Sequence, residues 1–157
     1  MMKSISTWKQ ELTKGAHAAR LAALYCCTPD ETPAQAARYA AVLDGLETTF
    51  GAHTEAGLYS APGRTEIGGN HTDHNFGCVL AAGVSLDVIA AAAPDTEENV
   101  ITIKSEGFPM DTVNVEDDTI YEEQKNTSAA LIRGMSAGFK KNGHKAGGFK
   151  AYATSNA

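Results

Sequence analysis

The sequence is short of basic residues, short of cysteine and without a long apolar run. Its 157 residues hold 13 lysines and arginines against 19 aspartates and glutamates, a formal net charge of −6. Nucleic-acid-binding proteins usually gather Lys and Arg on one face, whereas here these residues are scattered and only Lys140 and Lys141 form a cluster. We therefore expect no nucleic-acid partner.

Cysteine occurs only at Cys26, Cys27 and Cys78. An odd number with two adjacent members is poor geometry for a disulfide, and no Cys-x-x-Cys pair is present to indicate a redox motif or a zinc site. These features favour a reducing, cytoplasmic setting.

No stretch of the sequence predicts a membrane span. The most apolar segment, residues 78–93, is too short to cross a bilayer and is interrupted by Ser85 and Asp87. The first residues lack the apolar centre of a signal peptide. With 43% apolar and 20% charged residues the composition is that of an ordinary globular protein.

The first third of the chain predicts a helical hairpin. Thr7 and Thr32 each begin a segment with capping-box spacing, and Pro33 lies where a first helical turn tolerates proline. The second helix carries an apolar stripe and ends at Gly51. Residues 26–33 are predicted to be the connecting loop. The stripe consists of Tyr39, Val42, Leu43, Leu46 and Phe50.

The pattern of the remaining residues predicts several strands and one helix. The sequence as a whole therefore predicts an α+β fold with a mixed or antiparallel sheet. Residues 58–60 are predicted to form a short strand that runs into a turn at residues 61–63. A helix is predicted over 127–141, with Leu131, Ile132, Met135 and Phe139 on one face. The other predicted strands cover residues 84–92, 99–104, 110–115 and 149–154.

The residues best suited to catalysis or ligand binding are concentrated in segment 61–77. This segment holds four glycines, two histidines, an arginine and an aspartate. A phosphate loop is the first interpretation, because Gly63 and Gly68 have the required spacing. The next two positions should be Lys and Ser or Thr, but they are Gly69 and Asn70. We reject the phosphate loop.

A metal site is the second interpretation. His71 and Asp73, with the distant His144, provide the ligand types of a non-haem iron triad. A His-x-Asp pair constrains geometry only loosely, so the motif alone is weak. This alternative stays open at the level of sequence.

A sugar site is the third interpretation. Asp73 can accept hydroxyl protons, while His71 and Asn70 can both donate and accept. Arg64 supplies a fixed positive charge for an anionic group that develops during a reaction. Glycines between these residues would let the loop close over a small polar ligand.

The segment resembles the galactokinase signature of the GHMP small-molecule kinases, usually written Gly-Arg-x-Asn-Leu-Ile-Gly-Glu-His-Thr-Asp-Tyr-Asn-x-Gly. The ungapped match is specific, and the resemblance extends from Gly57 to the C-terminus. The resemblance implies that residues 1–56 form a helical extension. It also implies that residues 57–157 form an incomplete N-terminal domain of a GHMP kinase. The matching residues are Gly63, Arg64, Gly69, His71, Thr72, Asp73, Asn75 and Gly77.

Galactokinases transfer the γ-phosphoryl group of ATP to the anomeric hydroxyl of galactose with Mg²⁺, and the resemblance implies this activity here. It places Arg64 near the transferring group, as a catalytic residue. It implies that Asn70, His71, Thr72 and Asp73 bind the sugar. The family's phosphate loop, magnesium ligands and catalytic aspartate are expected beyond Ala157, so we expect this N-terminal fragment alone to be inactive.

Three of the departures from the family pattern involve polar or aromatic residues. Glu66 stands in place of Asn, Asn70 in place of Glu, and His74 in place of Tyr. Because Asn70 is neutral and can donate, one hydroxyl contact changes character, which leaves the preferred sugar open. A non-catalytic regulator of the same fold that binds galactose and ATP is the alternative function.

Overall fold

The computed structural model describes residues 1–52, 55–96 and 98–156, and of Asp73 it describes the backbone alone. Within these ranges it contains four α-helices and six β-strands. The helices are α1 (Ile5–Thr13), α2 (Ala18–Tyr25), α3 (Thr32–Phe50) and α4 (Ser128–Lys141). The strands are β1 (Met2–Ser4), β2 (Glu55–Gly68), β3 (Leu80–Pro94), β4 (Val100–Ser105), β5 (Met110–Asn114) and β6 (Phe149–Ser155).

The six strands form one mixed sheet in the order β1-β2-β3-β6-β4-β5. All neighbouring pairs are antiparallel except β4 and β6, which run parallel. This confirms the predicted α+β fold with a mixed sheet. It also brings the end of β6 beside the middle of β3, where Val88 pairs with Ser155.

Residues 1–51, which we name the leading region, contain three α-helices, so the predicted two-helix hairpin is wrong in detail. The first predicted helix is broken after Lys14, where Gly15 adopts a φ of 71° that favours glycine. α1 begins earlier than predicted, because the Ser4 side chain accepts a hydrogen bond from the Thr7 amide and caps the helix.

The predicted cap at Thr32 is also displaced. A capping box joins Thr28 and Glu31 around a single 3₁₀ turn, and α3 follows directly from Thr32. Pro33 lies in the first turn as predicted, and Gly51, at a φ of 82°, follows the last residue of the helix. The sequence signals for this helix were sound, but its capping residues lay one turn earlier.

The apolar stripe of α3 forms the centre of the core, as predicted. Val42, Leu43 and Leu46 are fully buried, and fully burying such a side chain stabilises a fold by about 1.5–3 kcal/mol. Gly45 lets the helix lie close to the sheet, because a Cβ at this position would lie 2.4 Å from the Tyr152 ring. Residues from the helices and from β3 thus share one core.

β2 and β3 form a much longer hairpin than the sequence predicted. The expected turn at residues 61–63 is wrong, because β2 continues through Pro62 to Gly68. Pro62 pairs with Asp87 of β3, and the ladder then shifts register before Arg64 pairs with Gly83. The register shift leaves Gly63 without a partner in the ladder, so the strand can continue through the Pro-Gly sequence.

The predicted strands at β4, β5 and β6 are confirmed to within one residue at each end. α4 is confirmed as well, and the Thr127 side chain accepts a hydrogen bond from the Ala130 amide at its start. Its predicted apolar face differs in one respect. Leu131, Met135 and Phe139 are each more than half exposed, so this face is not part of the core.

The β2–β3 hairpin has a covered base and an exposed outer part. Ala56 of β2 and Ile89 of β3 are fully buried under the helices. Residues 61–86, which we name the distal hairpin, contain no buried side chain among those the structure describes. The predicted site segment therefore lies on a hairpin that extends away from the core.

A buried carboxylate lies where the covered base ends. Asp87 is 1% exposed, and one of its oxygens accepts hydrogen bonds from the Tyr25 hydroxyl at 2.5 Å and the Ser60 hydroxyl at 2.6 Å. Its other oxygen accepts from the Arg38 guanidinium at 2.8 Å. The site thus joins α2, α3 and β2 to β3.

Burial and hydrogen bonding act in opposite directions on Asp87. Burial alone would raise the pKa of its carboxyl group, but the hydrogen bonds from Ser60, Tyr25 and Arg38 outweigh burial and hold the pKa below its usual value near 3.8. Burial, followed by the hydrogen bond to Asp87, raises the pKa of the Tyr25 hydroxyl. Tyr25 therefore remains a neutral donor and Asp87 an anionic acceptor.

None of the helices in the described ranges combines the length and the apolar character needed to cross a bilayer.

We predict that Asp87→Asn destabilises the fold by about 3 kcal/mol at neutral pH, because it removes a buried charge from its partners. A pKa lowered in the folded state stabilises the protein above the unfolded value, and this contribution is lost as the pH falls through the folded pKa. The difference between wild type and variant should therefore shrink as the pH falls below about 4.

Urea unfolding at several pH values measures this difference. Asp30→Asn, at an exposed carboxylate of the leading region, is the control and should change the unfolding midpoint little. A wild-type–variant difference that stayed constant down to acid pH would contradict the assignment.

Candidate functional site

The predicted site segment forms a compact loop at the tip of the distal hairpin, between the end of β2 and the start of β3. A 3₁₀ turn spans Asp73–Asn75. Asn70 and His71 adopt φ values of 51° and 52°, and Phe76 one of 63°. Asparagine and histidine tolerate this left-handed conformation better than most residues, so the loop places both predicted sugar ligands in a tight turn.

Two glycines are required by the close packing of this loop. Gly69 has a φ of 115°, and a Cβ there would lie 2.5 Å from the Cys78 carbonyl oxygen and 2.7 Å from the Val79 Cα. A Cβ on Gly77 would lie 2.1 Å from the Thr72 hydroxyl oxygen. The two ends of the loop can approach each other only because these positions lack side chains.

Thr72 holds the loop together. Its carbonyl oxygen accepts hydrogen bonds from the amides of Asn75 and Gly77, both at 2.9 Å. Its hydroxyl donates to the Gly69 carbonyl at 2.8 Å. The hydroxyl proton is therefore used within the loop, while the oxygen keeps lone pairs that can accept a further hydrogen bond.

Glu66 contacts the predicted site residue His71, although the motif alone gives Glu66 no role. Its carboxylate accepts a hydrogen bond from the His71 amide at 2.8 Å and lies 3.9 Å from the His71 ring nitrogen Nδ1. Side chains alternate between the two faces of a strand, so Arg64 and Glu66 lie on the same face of β2. This alternation is the sequence signal that could have indicated a role for Glu66. Glu66 therefore fixes His71 from the strand below.

The two histidines of the loop lie side by side, with the ring centroids of His71 and His74 5.6 Å apart and tilted by 47°. The His71 side chain is 65% exposed. An exposed imidazole with a fixed backbone can both donate to and accept from a ligand hydroxyl.

Arg64 lies on β2 opposite Gly83, and the next pairs of the ladder join Thr65 with Ala82 and Glu66 with Ala81. These small residues on β3 leave the surface around the Arg64 guanidinium open. Among the residues the structure describes, no carboxylate lies within ion-pairing distance of Arg64, and Glu66 is engaged with His71 instead. The Arg64 side chain is exposed.

The Asp73 side chain lies outside the described part of the structure. Its place relative to Arg64 and His71 stays a prediction. The backbone of Asp73 begins the 3₁₀ turn, two residues after His71.

The metal alternative gains no support from the residues that the structure describes. Among them, no group of three or more His, Cys, Asp or Glu side chains is arranged to hold a metal ion. His144 follows α4, and its ring packs edge-on against Phe139 with a centroid distance of 6.0 Å.

A cavity of about 600 Å³ lies away from the loop, at the carboxyl end of β6. Thr127 and Ser128, at the start of α4, and Ser155 contribute hydroxyl groups to its wall. Its described lining includes two carboxylates, Glu106 and Asp111, and no lysine or arginine.

Comparison with known proteins identifies the loop and its hairpin. The galactokinase galactose-binding signature matches residues 46–94, which run from the end of α3 to the end of β3 and include the whole distal hairpin. The galactokinase of Ligilactobacillus salivarius is 30% identical over 102 residues, and that of Lacticaseibacillus casei 28% identical over 103. Each alignment covers about two thirds of this chain, 64% and 65% respectively.

A solved structure shows the same fold. Lactococcus lactis galactokinase complexed with galactose matches 79% of this chain with a TM-score of 0.65 and 21% sequence identity, and the match covers 31% of that protein. The fold is thus that of a galactokinase region. The signature and the relatives add similarity in sequence to this similarity in fold, and both point to galactokinases.

The chain is much shorter than its relatives. It spans 26% of the length of the Lacticaseibacillus casei and Ligilactobacillus salivarius galactokinases that it matches.

We predict that Gly69→Ala disrupts the loop, because it combines a strained positive φ, which costs about 1–2 kcal/mol, with contacts to backbone atoms. The control is Gly83→Ala in the same hairpin, where no atom lies within 4 Å of the added Cβ. Amide chemical shifts in residues 66–79 should change widely in the first variant. In the second they should change only near position 83.

Proposed function

We propose that the loop of the distal hairpin binds galactose, and that the chain serves the ATP-dependent phosphorylation of galactose at its anomeric hydroxyl. The product would be galactose 1-phosphate. One observation carries this proposal: the galactose-binding signature coincides with an exposed, self-packed loop in which Glu66 fixes His71.

The loop has the properties of a site for a small polyol. A sugar hydroxyl both donates and accepts, so it is recognised by short polar groups held in fixed positions. Asn70 and His71 are held by a turn that the Gly69 and Thr72 contacts close. We assign Asn70, His71, Thr72 and Asp73 to the sugar, with the Asp73 carboxylate as an acceptor for two hydroxyl protons.

Arg64 is assigned to the reacting end of the sugar. Its guanidinium is exposed on the face of β2 that also carries Glu66. In phosphoryl transfer, positioning and charge stabilisation provide most of the catalysis. A planar guanidinium can hold two phosphate oxygens at once, which suits Arg64 to stabilise the transferring group.

Mg²⁺ and ATP are not accounted for by the residues that the structure describes. These residues include no cluster of carboxylates and histidines suited to a metal ion. The cavity beside β6 has a lining without a cation among its described residues. We assign none of the described residues to the metal–nucleotide complex.

Galactose titration of the chain tests the proposal. We expect a dissociation constant on the order of 1 mM or below by calorimetry, with amide shift changes in residues 64–77. Asp73→Ala should abolish detectable binding, because a hydrogen bond to a charged group contributes about 1.5–3 kcal/mol. Asp30→Ala, at an exposed carboxylate in the leading region, is the matched control and should bind like wild type.

Glucose, which differs from galactose in the configuration of one hydroxyl, is the control ligand. A site built to hydrogen-bond a hydroxyl rejects a ligand that leaves its groups unpaired. Near-normal galactose affinity in Asp73→Ala, or shift changes confined to residues outside the distal hairpin, would refute the assignment.

A further inference from the structure

Asp87 lies at the boundary between the covered and the exposed parts of the β2–β3 hairpin. It pairs with Pro62 in the ladder, and its side chain reaches diagonally to the Ser60 hydroxyl on β2. The register shift at Gly63 follows immediately on the outer side. The carboxylate is therefore the last buried polar link before the hairpin leaves the core.

The distal hairpin has few other contacts that fix its orientation relative to the core. Its described side chains from residue 61 to 86 are all exposed or half-buried, and a bulge increases the local twist and bend of a strand. The angle at which the loop is presented thus depends on how firmly the strands are held just below the bulge.

Asp87 ties this point to three neighbours that do not belong to the hairpin. Arg38 and Tyr25 bind its carboxylate from α3 and α2. The backbone of Asp87 exchanges two hydrogen bonds with Asn156, whose side-chain oxygen accepts from the Asp87 amide at 2.8 Å and whose amide donates to the Asp87 carbonyl at 3.2 Å. Helices and β6 thus meet the hairpin at one residue.

We propose that Asp87 is a positioning residue for the sugar-binding loop, which it orients by fixing the base of the distal hairpin through Ser60. This inference rests on the proposed galactose site. It assigns to Asp87 no contact with the sugar. Its effect is transmitted along β2, from Ser60 to the Arg64–Glu66 face.

Two variants separate this role from a general contribution to stability. Ser60→Ala and Tyr25→Phe each remove one donor from the same carboxylate oxygen of Asp87. Ser60 links Asp87 to the hairpin, whereas Tyr25 links it to α2, and Arg38 still holds the helical side in the Tyr25 variant. Asp87→Asn is the third variant, in which all three links change.

Backbone amide exchange of residues 61–86 is the first measurement, and it requires no sugar. We expect Ser60→Ala to speed exchange there about fivefold or more relative to wild type, with less than a twofold change in Tyr25→Phe. Galactose affinity is the second measurement. It should fall about fivefold in Ser60→Ala and by less than twofold in Tyr25→Phe, with the larger losses in Asp87→Asn.

Unfolding midpoints in urea show whether the two single-donor variants are destabilised to a similar extent. Equal exchange in residues 61–86 of both variants, or faster exchange spread uniformly over the sheet, would overturn the positioning role. If wild type fails to bind galactose, the proposed function fails, and the exchange comparison still decides whether Asp87 anchors the hairpin.

Discussion

The structure depends on satisfying one carboxylate that is removed from water. A buried charge without partners costs several kcal/mol, and a pair that loses one member is worse than no pair. Asp87 therefore stabilises the fold only if α2, α3 and β2 all bring their donors to β3. This requirement links the leading helices to the hairpin more specifically than apolar packing does, since apolar contacts tolerate small shifts.

The loop at the tip of the distal hairpin obeys a different constraint. None of its side chains that the structure describes is buried, so contacts within the loop itself give it its shape. The Thr72 carbonyl oxygen accepts hydrogen bonds from two backbone amides, and the Glu66 carboxylate accepts one from the His71 amide. Gly69 and Gly77 allow the chain to fold back on itself. A site that must admit a ligand cannot be covered by the core, and hydrogen bonds within the loop supply the rigidity that burial supplies elsewhere.

Much of the fold was predictable because its signals are local. α3 shows a clear helical stripe, and β4 and β5 alternate apolar and polar residues, so their positions followed from the sequence. The continuation of β2 through Pro62 was not predictable from local rules, because proline and glycine usually end a strand. The partner that keeps the strand in place, Asp87, lies 25 positions further along the chain.

The candidate residues of the site come from a sequence motif, but their arrangement could not be predicted from it. The motif supplied Arg64, His71 and Asp73, whereas the role of Glu66 depends on the loop folding back so that the His71 amide meets the carboxylate. In the sequence, Asp87 is visible only as an interruption of an apolar stretch, since its partners Tyr25, Arg38 and Ser60 are distant along the chain. Contacts of this kind appear only once the chain is folded.

The departures from the family pattern at positions 66 and 70 are compatible with one loop geometry. Asn70 has a φ of 51°, a conformation that asparagine tolerates, and Glu66 places its carboxylate on the neighbouring His71 amide. The hydrogen bonds that close the loop come from Glu66, Thr72 and the backbone, and none that the structure describes uses the Asn70 side chain. The loop's shape is thus fixed by the neighbours of position 70, and under the proposed function Asn70 would affect which sugar the loop prefers.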